Sequence, residues 1–300
     1  MTAELRFDER VAIVTGAGRG VGASHARLLA ARGAKVVVAD YGVDLDGSGS
    51  SGEPAETIAA EIRESGGRAV AVCASVAQED EAGSVIDAAL DTFGRVDIVV
   101  NNAGISDPGG FDQLTVPQFR AMLEVHYLGT LFITRAAWPH LRAAGYGRVV
   151  NTVSEAMLGN IHEMTSYAAA KGAVWGLTRS LATEAAGTGI RVNAVAPRAF
   201  TRMSEAQSSK VAADHGFTPE VMAQINAAMP PDMVAPAAAY LAHETCALNG
   251  EVLRAGLGGV ARIAIVASQG IHKSPLTAED IADHLGEILD IRESPAVEIP

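Results

Sequence analysis

The chain has 300 residues, 48% of them apolar and 19% charged, which supplies enough apolar surface for a sizeable core and excludes wholesale disorder. A formal net charge of −12 excludes nucleic acid as the main partner, since that demands a basic surface, and otherwise serves solubility. Thirty-one glycines and 5% aromatics favour a tightly packed α/β protein, while two cysteines, Cys73 and Cys246, are too few for a disulfide framework and stand in no metal-ligand spacing, so no metal is expected.

The chain opens on a short charged lead (Glu4, Arg6, Asp8, Glu9, Arg10) rather than a signal-peptide core. No uncharged apolar stretch reaches the ~18 residues of a membrane span, and the end, Glu298-Ile299-Pro300, is not a peroxisomal tripeptide. The expectation is a soluble cytoplasmic protein with no membrane partner.

The first predicted strand, 11–15, runs through Thr15-Gly16-Ala17-Gly18-Arg19-Gly20-Val21-Gly22 into a helix predicted at 22–32. A dinucleotide pyrophosphate needs close backbone approach, free N–H donors and the positive end of a helix dipole, and glycines at a strand-to-helix turn supply all three. Gly16, Gly18, Arg19, Gly20, Val21 and Gly22 are therefore candidate cofactor positions, with a plain tight turn as the competing reading. The second strand, 35–40, ends on Asp40, 24 residues past Gly16, where a carboxylate accepts hydrogen bonds from an adenosine ribose. A 2′-phosphate there would meet like charge, a repulsion of ~4 kcal/mol at ~4 Å and an effective dielectric near ~20. Asp40 thus favours NAD over NADP, although Arg19 nearby favours a phosphate and a solvated strand-end carboxylate is the plain alternative.

Residues 42–52 hold seven Gly or Ser and read as a flexible surface loop. Helices predicted at 54–65, 79–93, 116–143 and 165–186 then alternate with strands at 69–73, 96–101, 148–152 and 191–196. The strands are nearly unbroken apolar runs, the mark of a strand covered on both faces, so the repeated βαβ rhythm gives a parallel sheet with helices on both sides. Ser154 follows the fifth strand, and Tyr167 and Lys171, four apart on a helix, share one face. A phenol with its ordinary pKa of ~10 is no base at neutrality, but an adjacent ammonium favours the phenolate, and a lowering of about three units takes ~4 kcal/mol. Ser154 can donate to the same substrate oxygen. Each residue alone is as readily structural; together, beside a glycine loop, they point to general base chemistry on an alcohol.

Residues 198–232, with Met203, Met222, Met229 and Pro230-Pro231, read either as a mobile cover over a pocket or as an ordinary helical insertion. A helix at 234–243 leads to a last strand, 252–254, at the sheet edge. The tail past Gly259 carries a helix capped by Thr277 with Ile281, Leu285, Ile288 and Leu289 on one face, to pack on its own subunit or on a neighbour.

The glycine run 15–22, Asn101-Asn102-Ala103-Gly104, Ser154 with Tyr-x-x-x-Lys at 167–171, and Arg191-Val-Asn-Ala-Val-Ala-Pro197 resemble, in order and spacing over residues 8–259, the motif set of the short-chain dehydrogenase/reductase family. A closer resemblance is to the (3R)-hydroxyacyl-CoA dehydrogenase part of multifunctional β-oxidation enzymes, through Val125-His126, Thr134-Arg-Ala-Ala-Trp-Pro139, the Gly/Ser loop after Asp40, and His243-Glu-Thr-Cys246. The resemblance implies a Rossmann-type, doubly wound parallel sheet in three αβα layers. It implies a single domain, 1–259, with 198–232 covering the substrate and 260–300 as a C-terminal extension.

It also implies roles. Tyr167 would take the hydroxyl proton as hydride leaves carbon for a nicotinamide. Lys171 would lower its pKa and bind the nicotinamide ribose, and Ser154 would orient the substrate. Asn102, Ala103 and Gly104 would wall the cofactor pocket, with Pro197 beside it and Thr201 on the carboxamide. Ser75, where the family has an aspartate for the adenine amine, and Val76 would complete the cofactor contacts. His126 replaces the family's asparagine, either as a water-holding proton relay or as a satisfied core histidine. Arg198 replaces a glycine, which puts the local loop in question. The helices at 116–143 and 165–186 resemble those through which relatives form homodimers and homotetramers. The expected activity is NAD-dependent interconversion of a secondary alcohol and a ketone, with a 3-hydroxyacyl-CoA as first substrate and a steroid-like or alicyclic alcohol as second. A catalytically silent NAD-binding redox sensor or scaffold is the competing class.

Overall fold

The β-branched runs pair side by side in the computed structural model, which describes residues 4–205, 212 and 216–299. Strands β1 (Val11–Thr15), β2 (Lys35–Ala39), β3 (Arg68–Val72), β4 (Ile98–Asn101), β5 (Gly147–Thr152), β6 (Ile190–Arg198) and β7 (Val252–Gly256) are parallel, and β8 (Gly259–Ile263) is antiparallel to β7. Their order is β3-β2-β1-β4-β5-β6-β7-β8. Successive side chains point to opposite faces. Ala12, Val14, Val36, Val38, Ile98 and Val100 pack with α1 (Gly20–Ala31) and α2 (Glu53–Glu64), whereas Val11, Ile13, Val37 and Val99 pack with α3 (Glu79–Phe93). Both faces are thereby buried, which is why these strands carry no polar alternation. The doubly wound three-layer fold is as expected. The chain reverses its direction of winding between β1 and β4, and in such sheets ligands bind in the crevice at the strands' carboxyl ends there.

Three expectations are corrected. The helix predicted at 116–143 is α4 (Val116–Met122), a π-helical turn (Leu123–Leu128) and α5 (Gly129–Ala144). A π turn inserts an extra residue per turn, often at a functional site, and here it carries His126. Second, β7 is not the edge. Leu257 and Gly258 adopt positive φ (54° and 73°) and turn the chain back into β8, so the sheet runs on past the boundary drawn at 259. Third, the Gly/Ser segment after Asp40 is not a free surface loop: Leu45 accepts a hydrogen bond from the Ser106 amide (3.0 Å), and Val43 packs against the cluster of Ile105, Met122 and Ala170.

Helix α6 (Thr165–Glu184) follows β5; α7 (Pro219–Ala227) and α8 (Ala235–Ala242) lie between β6 and β7. Of the segment 198–232, residues 206–211 and 213–215 lie outside the described residues. In the tail, Thr277 caps α9 (Ala278–Asp283) through a capping box, and α10 (Leu285–Ile288) follows. The tail's end returns to its own chain, where Val297 donates to the Ile265 carbonyl and Arg179 donates to the Val297 carbonyl (2.8 and 2.6 Å). The predicted apolar face stays exposed at Ile281, Leu285 and Leu289. Among the described residues no helix is long and apolar enough to cross a membrane.

Candidate active site

The carboxyl ends of β1, β4 and β5 open into a cleft of about 630 Å³. One wall is backbone. Gly16 has φ 60°, and a Cβ there would meet the Ala103 Cα at 2.7 Å; a Cβ on Gly22 would lie 2.2 Å from the Gly16 carbonyl oxygen. Only glycine lets α1 approach the first strand so closely. The Asn102 side-chain amide donates to the carbonyls of Thr15 and Gly16 (3.1 Å each), and the Thr15 hydroxyl accepts from the amides of Asn102 and Ala103, so the two loops are laced together. Asp40 is fixed at the strand end by the amides of Gly18 and Gly42, each at 2.7 Å. A cradle that side chains would fill, at a helix N-terminus and closed by an ordered carboxylate, fits a dinucleotide.

Gly16, Arg19, Gly20, Val21, Asp40, Ser75, Val76, Asn102, Ala103, Gly104, Pro197 and Thr201 all line the cleft. Gly18 and Gly22 are not among the lining residues; they act from beneath, Gly18 by packing on Pro54 and holding Asp40, Gly22 by admitting the helix. Ser75 is set by its amide, which donates to Glu81 at 2.7 Å, and Val76 packs where a Cβ on Gly129 would stand.

The other wall is side chain. Tyr167 and Lys171 sit one turn apart on α6, with the Lys171 Nζ 5.6 Å from the phenol ring centroid. Lys171 is buried and donates to the Thr152 carbonyl at 2.7 Å. Ser154 caps the short 3-10 turn (Glu155–Leu158); its Oγ accepts from the Ala156 amide at 3.2 Å, and its hydroxyl also hydrogen-bonds with Tyr167. His126 lies edge-on to Tyr167, ring centroids 5.1 Å apart, in space that a Cβ on Gly104 would fill. Its Nε2 is 2.9 Å from the Ile105 carbonyl oxygen and, when protonated, donates to it. Nδ1 is then an acceptor, buried without a partner among the described residues. His126 is thus half satisfied: neither a fully bonded core histidine nor one with both nitrogens free.

The electrostatics correct the simple ammonium-beside-phenol picture. Burial pushes the Tyr167 phenol up to about 12, opposed only by a hydrogen bond with Ser154, and burial pushes the Lys171 ammonium down to about 7. Making this phenol a base at neutrality therefore takes about 3 kcal/mol more than the ~4 kcal/mol of the sequence-based figure. His126 is held neutral by burial first and by the Lys171 charge second.

Several contributors were missed from sequence. Val43 and Leu45 line the cleft, and their signal was two apolar residues alternating with acids inside a Gly/Ser segment. The Thr152 carbonyl carries no sequence signal, because any residue offers one.

A sequence profile described as short chain dehydrogenase matches residues 10–212. The chain is 42% identical over 284 residues to a protein of Mycobacterium tuberculosis named as a short-chain type dehydrogenase/reductase, covering 94% of this chain and 95% of that one. It is 37% identical over 295 residues to the mouse peroxisomal multifunctional enzyme type 2, covering 97% of this chain but spanning only 38% of that relative. Among solved structures, a 7α-hydroxysteroid dehydrogenase complexed with NADH and 7-oxo glycochenodeoxycholic acid superposes with a TM-score of 0.71 at 30% identity, covering 85% of this chain and 95% of that one.

Proposed function

The chain belongs to the short chain dehydrogenase family, and from that premise we propose that it oxidises a 3-hydroxyacyl thioester such as an acyl-CoA, with NAD as preferred cofactor. It is an oxidoreductase that interconverts an alcohol and a ketone on a small molecule with a nicotinamide cofactor. A catalytically silent sensor finds no support among these relatives.

One observation carries the assignment of residues: Ser154, Tyr167 and Lys171 face the same cleft as the glycine cradle and Asp40. When bound, the cofactor supplies acceptance and return of hydride. Gly16, Gly20 and Val21 hold the pyrophosphate, Asp40 takes the adenosine ribose, and Ser75 and Val76 flank the adenine. Asn102, Ala103, Gly104, Pro197 and Thr201 enclose the nicotinamide end. Ser154 donates to the substrate oxygen and orients it. Tyr167 Oη, as the phenolate, takes the hydroxyl proton and becomes the phenol, and Lys171, anchored on the Thr152 carbonyl, stabilises the phenolate before the transfer. His126, edge-on to Tyr167 and held neutral, holds the water through which that proton leaves.

Preference for NAD is supported by an Asp40 carboxylate already fixed by two amides, so it cannot swing away from a 2′-phosphate without losing both. The acyl-thioester substrate is supported by the match to the mouse multifunctional enzyme over nearly the whole of this chain. The exposed apolar residues of α9 and α10 support assembly with further copies, as a homodimer or homotetramer.

Following reduced-cofactor absorbance with a 3-hydroxyacyl-CoA, a steroid alcohol and a cyclohexanol tests the substrate. Faster turnover of the thioester is expected; faster turnover of either alicyclic alcohol would replace it. For the cofactor, Asp40→Ala is expected to narrow the NAD-to-NADP ratio of kcat/KM by ~10-fold, or ~1.4 kcal/mol. An unchanged ratio would remove Asp40 from the ribose site.

A further inference from the structure

Arg198, where the family resemblance leads to glycine, is built into a fork. Its Nε and Nη2 donate to Glu155 Oε2 and Oε1 at 2.6 and 2.9 Å, and Arg254 Nη1 donates to the same Oε1 at 3.2 Å. Glu155 is the first residue of the 3-10 turn capped by Ser154. Arg198 ends β6 immediately after Pro197, which lines the cleft, and Arg254 lies on β7 opposite Ala196. Opposite Arg198 stands Gly256 at φ 141°, where a Cβ would lie 2.1 Å from the Arg198 carbonyl oxygen, so β7 passes as close as a chain can. One carboxylate thus ties the serine turn to the end of β6 and to the middle of β7.

Magnitude argues against a purely stabilising purpose. The three side chains are 23%, 40% and 37% exposed, and ion pairs this open to water contribute little to stability. A bidentate fork, however, fixes direction as well as distance. Substrate-orienting groups are sensitive to that, since a displacement of ~1 Å can cost ~100-fold in rate. Arg198 draws the Glu155 carboxyl below its ordinary range, so the pair stays ionised through neutral pH.

We propose that Glu155, held by Arg198 and Arg254, is a positioning residue for the reaction: it sets the Ser154 hydroxyl against the Pro197 strand end and so fixes where the substrate oxygen sits relative to the nicotinamide. The inference rests on the assignment of Ser154 as the group that orients the alcohol.

The test uses the full chain, saturating NAD and the best secondary alcohol of the panel above. Glu155→Gln is isosteric and removes only the charge. It should lower kcat by ~10-fold while the NAD dissociation constant stays within ~2-fold and the melting temperature within ~2 °C. Arg198→Leu should lose the same factor, and the double variant no more than either single change, because all three break one coupling. Arg198→Lys, which keeps the charge but not the fork, should fall between wild type and Arg198→Leu and serves if Arg198→Leu folds poorly. A Glu155→Gln enzyme within ~2-fold of wild-type kcat, or losses that multiply in the double variant, would overturn the proposal. Tyr167→Phe separates the two failures. If it is inactive while Glu155→Gln is unimpaired, only the positioning role falls; if it is fully active, the alcohol-oxidation assignment falls and takes this one with it.

Discussion

On the cradle side of the cleft the contacts that matter are to backbone, with Gly22 against the Gly16 carbonyl and the Asp40 carboxylate on two amides. On the α6 side they are buried titratable side chains: a phenol pushed up to about 12, an ammonium pushed down to about 7, and an imidazole with one nitrogen unpartnered among the described residues. The first wall is shaped by close approach, and its polar side chains Asp40 and Asn102 are hydrogen-bonded to backbone. The second holds groups whose useful charge states the folded chain opposes. Binding and chemistry should therefore be separable by mutation, and the chemical wall should respond to pH where the cradle does not.

The largest expected effect is on the chemical wall alone. Tyr167→Phe should cut kcat by ~1,000-fold, about 4 kcal/mol, while NAD affinity measured by fluorescence titration changes less than ~2-fold. Equal losses in both would mean that the two walls are not separable. The converse is Gly22→Ala, where the added carbon meets a backbone carbonyl that has no room to move. NAD binding should weaken by ~100-fold or more, about 3 kcal/mol, and an alanine variant that binds normally would remove the close approach as the basis of the cradle.

The third prediction concerns His25, buried on α1 behind the cradle with both ring nitrogens unpartnered among the described residues and its pKa pushed down to about 4 by burial. The folded value lies below the ordinary 6.5, so the unfolded chain binds the extra proton first. The stability contributed by neutral His25 is fully present above about pH 6.5 and is lost as pH falls towards 4, amounting to about 3 kcal/mol. His25→Leu should flatten the acid limb of denaturant-unfolding stability over that window. A limb of unchanged slope would mean that His25 does not titrate with unfolding.

The parts of the molecule legible in the sequence are those where a residue type does one physical thing. Val11–Thr15 must be covered on both faces, glycines at 16 and 22 admit only close backbone approach, and Tyr167 and Lys171 are bound to share a face at a spacing of four. What stayed hidden depends on partners distant in the chain. The π turn at Leu123–Leu128 has no composition of its own, Val43 finds its apolar neighbours on α4 and α6, and Arg198 acquires a role only through Glu155, 43 positions away. The titration behaviour was hidden for a similar reason: Lys171 one turn from Tyr167 implies attraction, but burial of both, invisible in the spacing, moves each pKa the other way.

The most direct test of the central claim is the pH dependence of kcat for alcohol oxidation at saturating NAD, wild type against Lys171→Met. The phenol must lose its proton, so activity should fall on the acid side. Removing the ammonium should move that limb upward by at least one pH unit (~1.4 kcal/mol), with NAD kept saturating for each protein because Lys171 also faces the nicotinamide ribose. Superimposable limbs in the two proteins would contradict it, and the lysine would then be no more than a clasp on the Thr152 carbonyl.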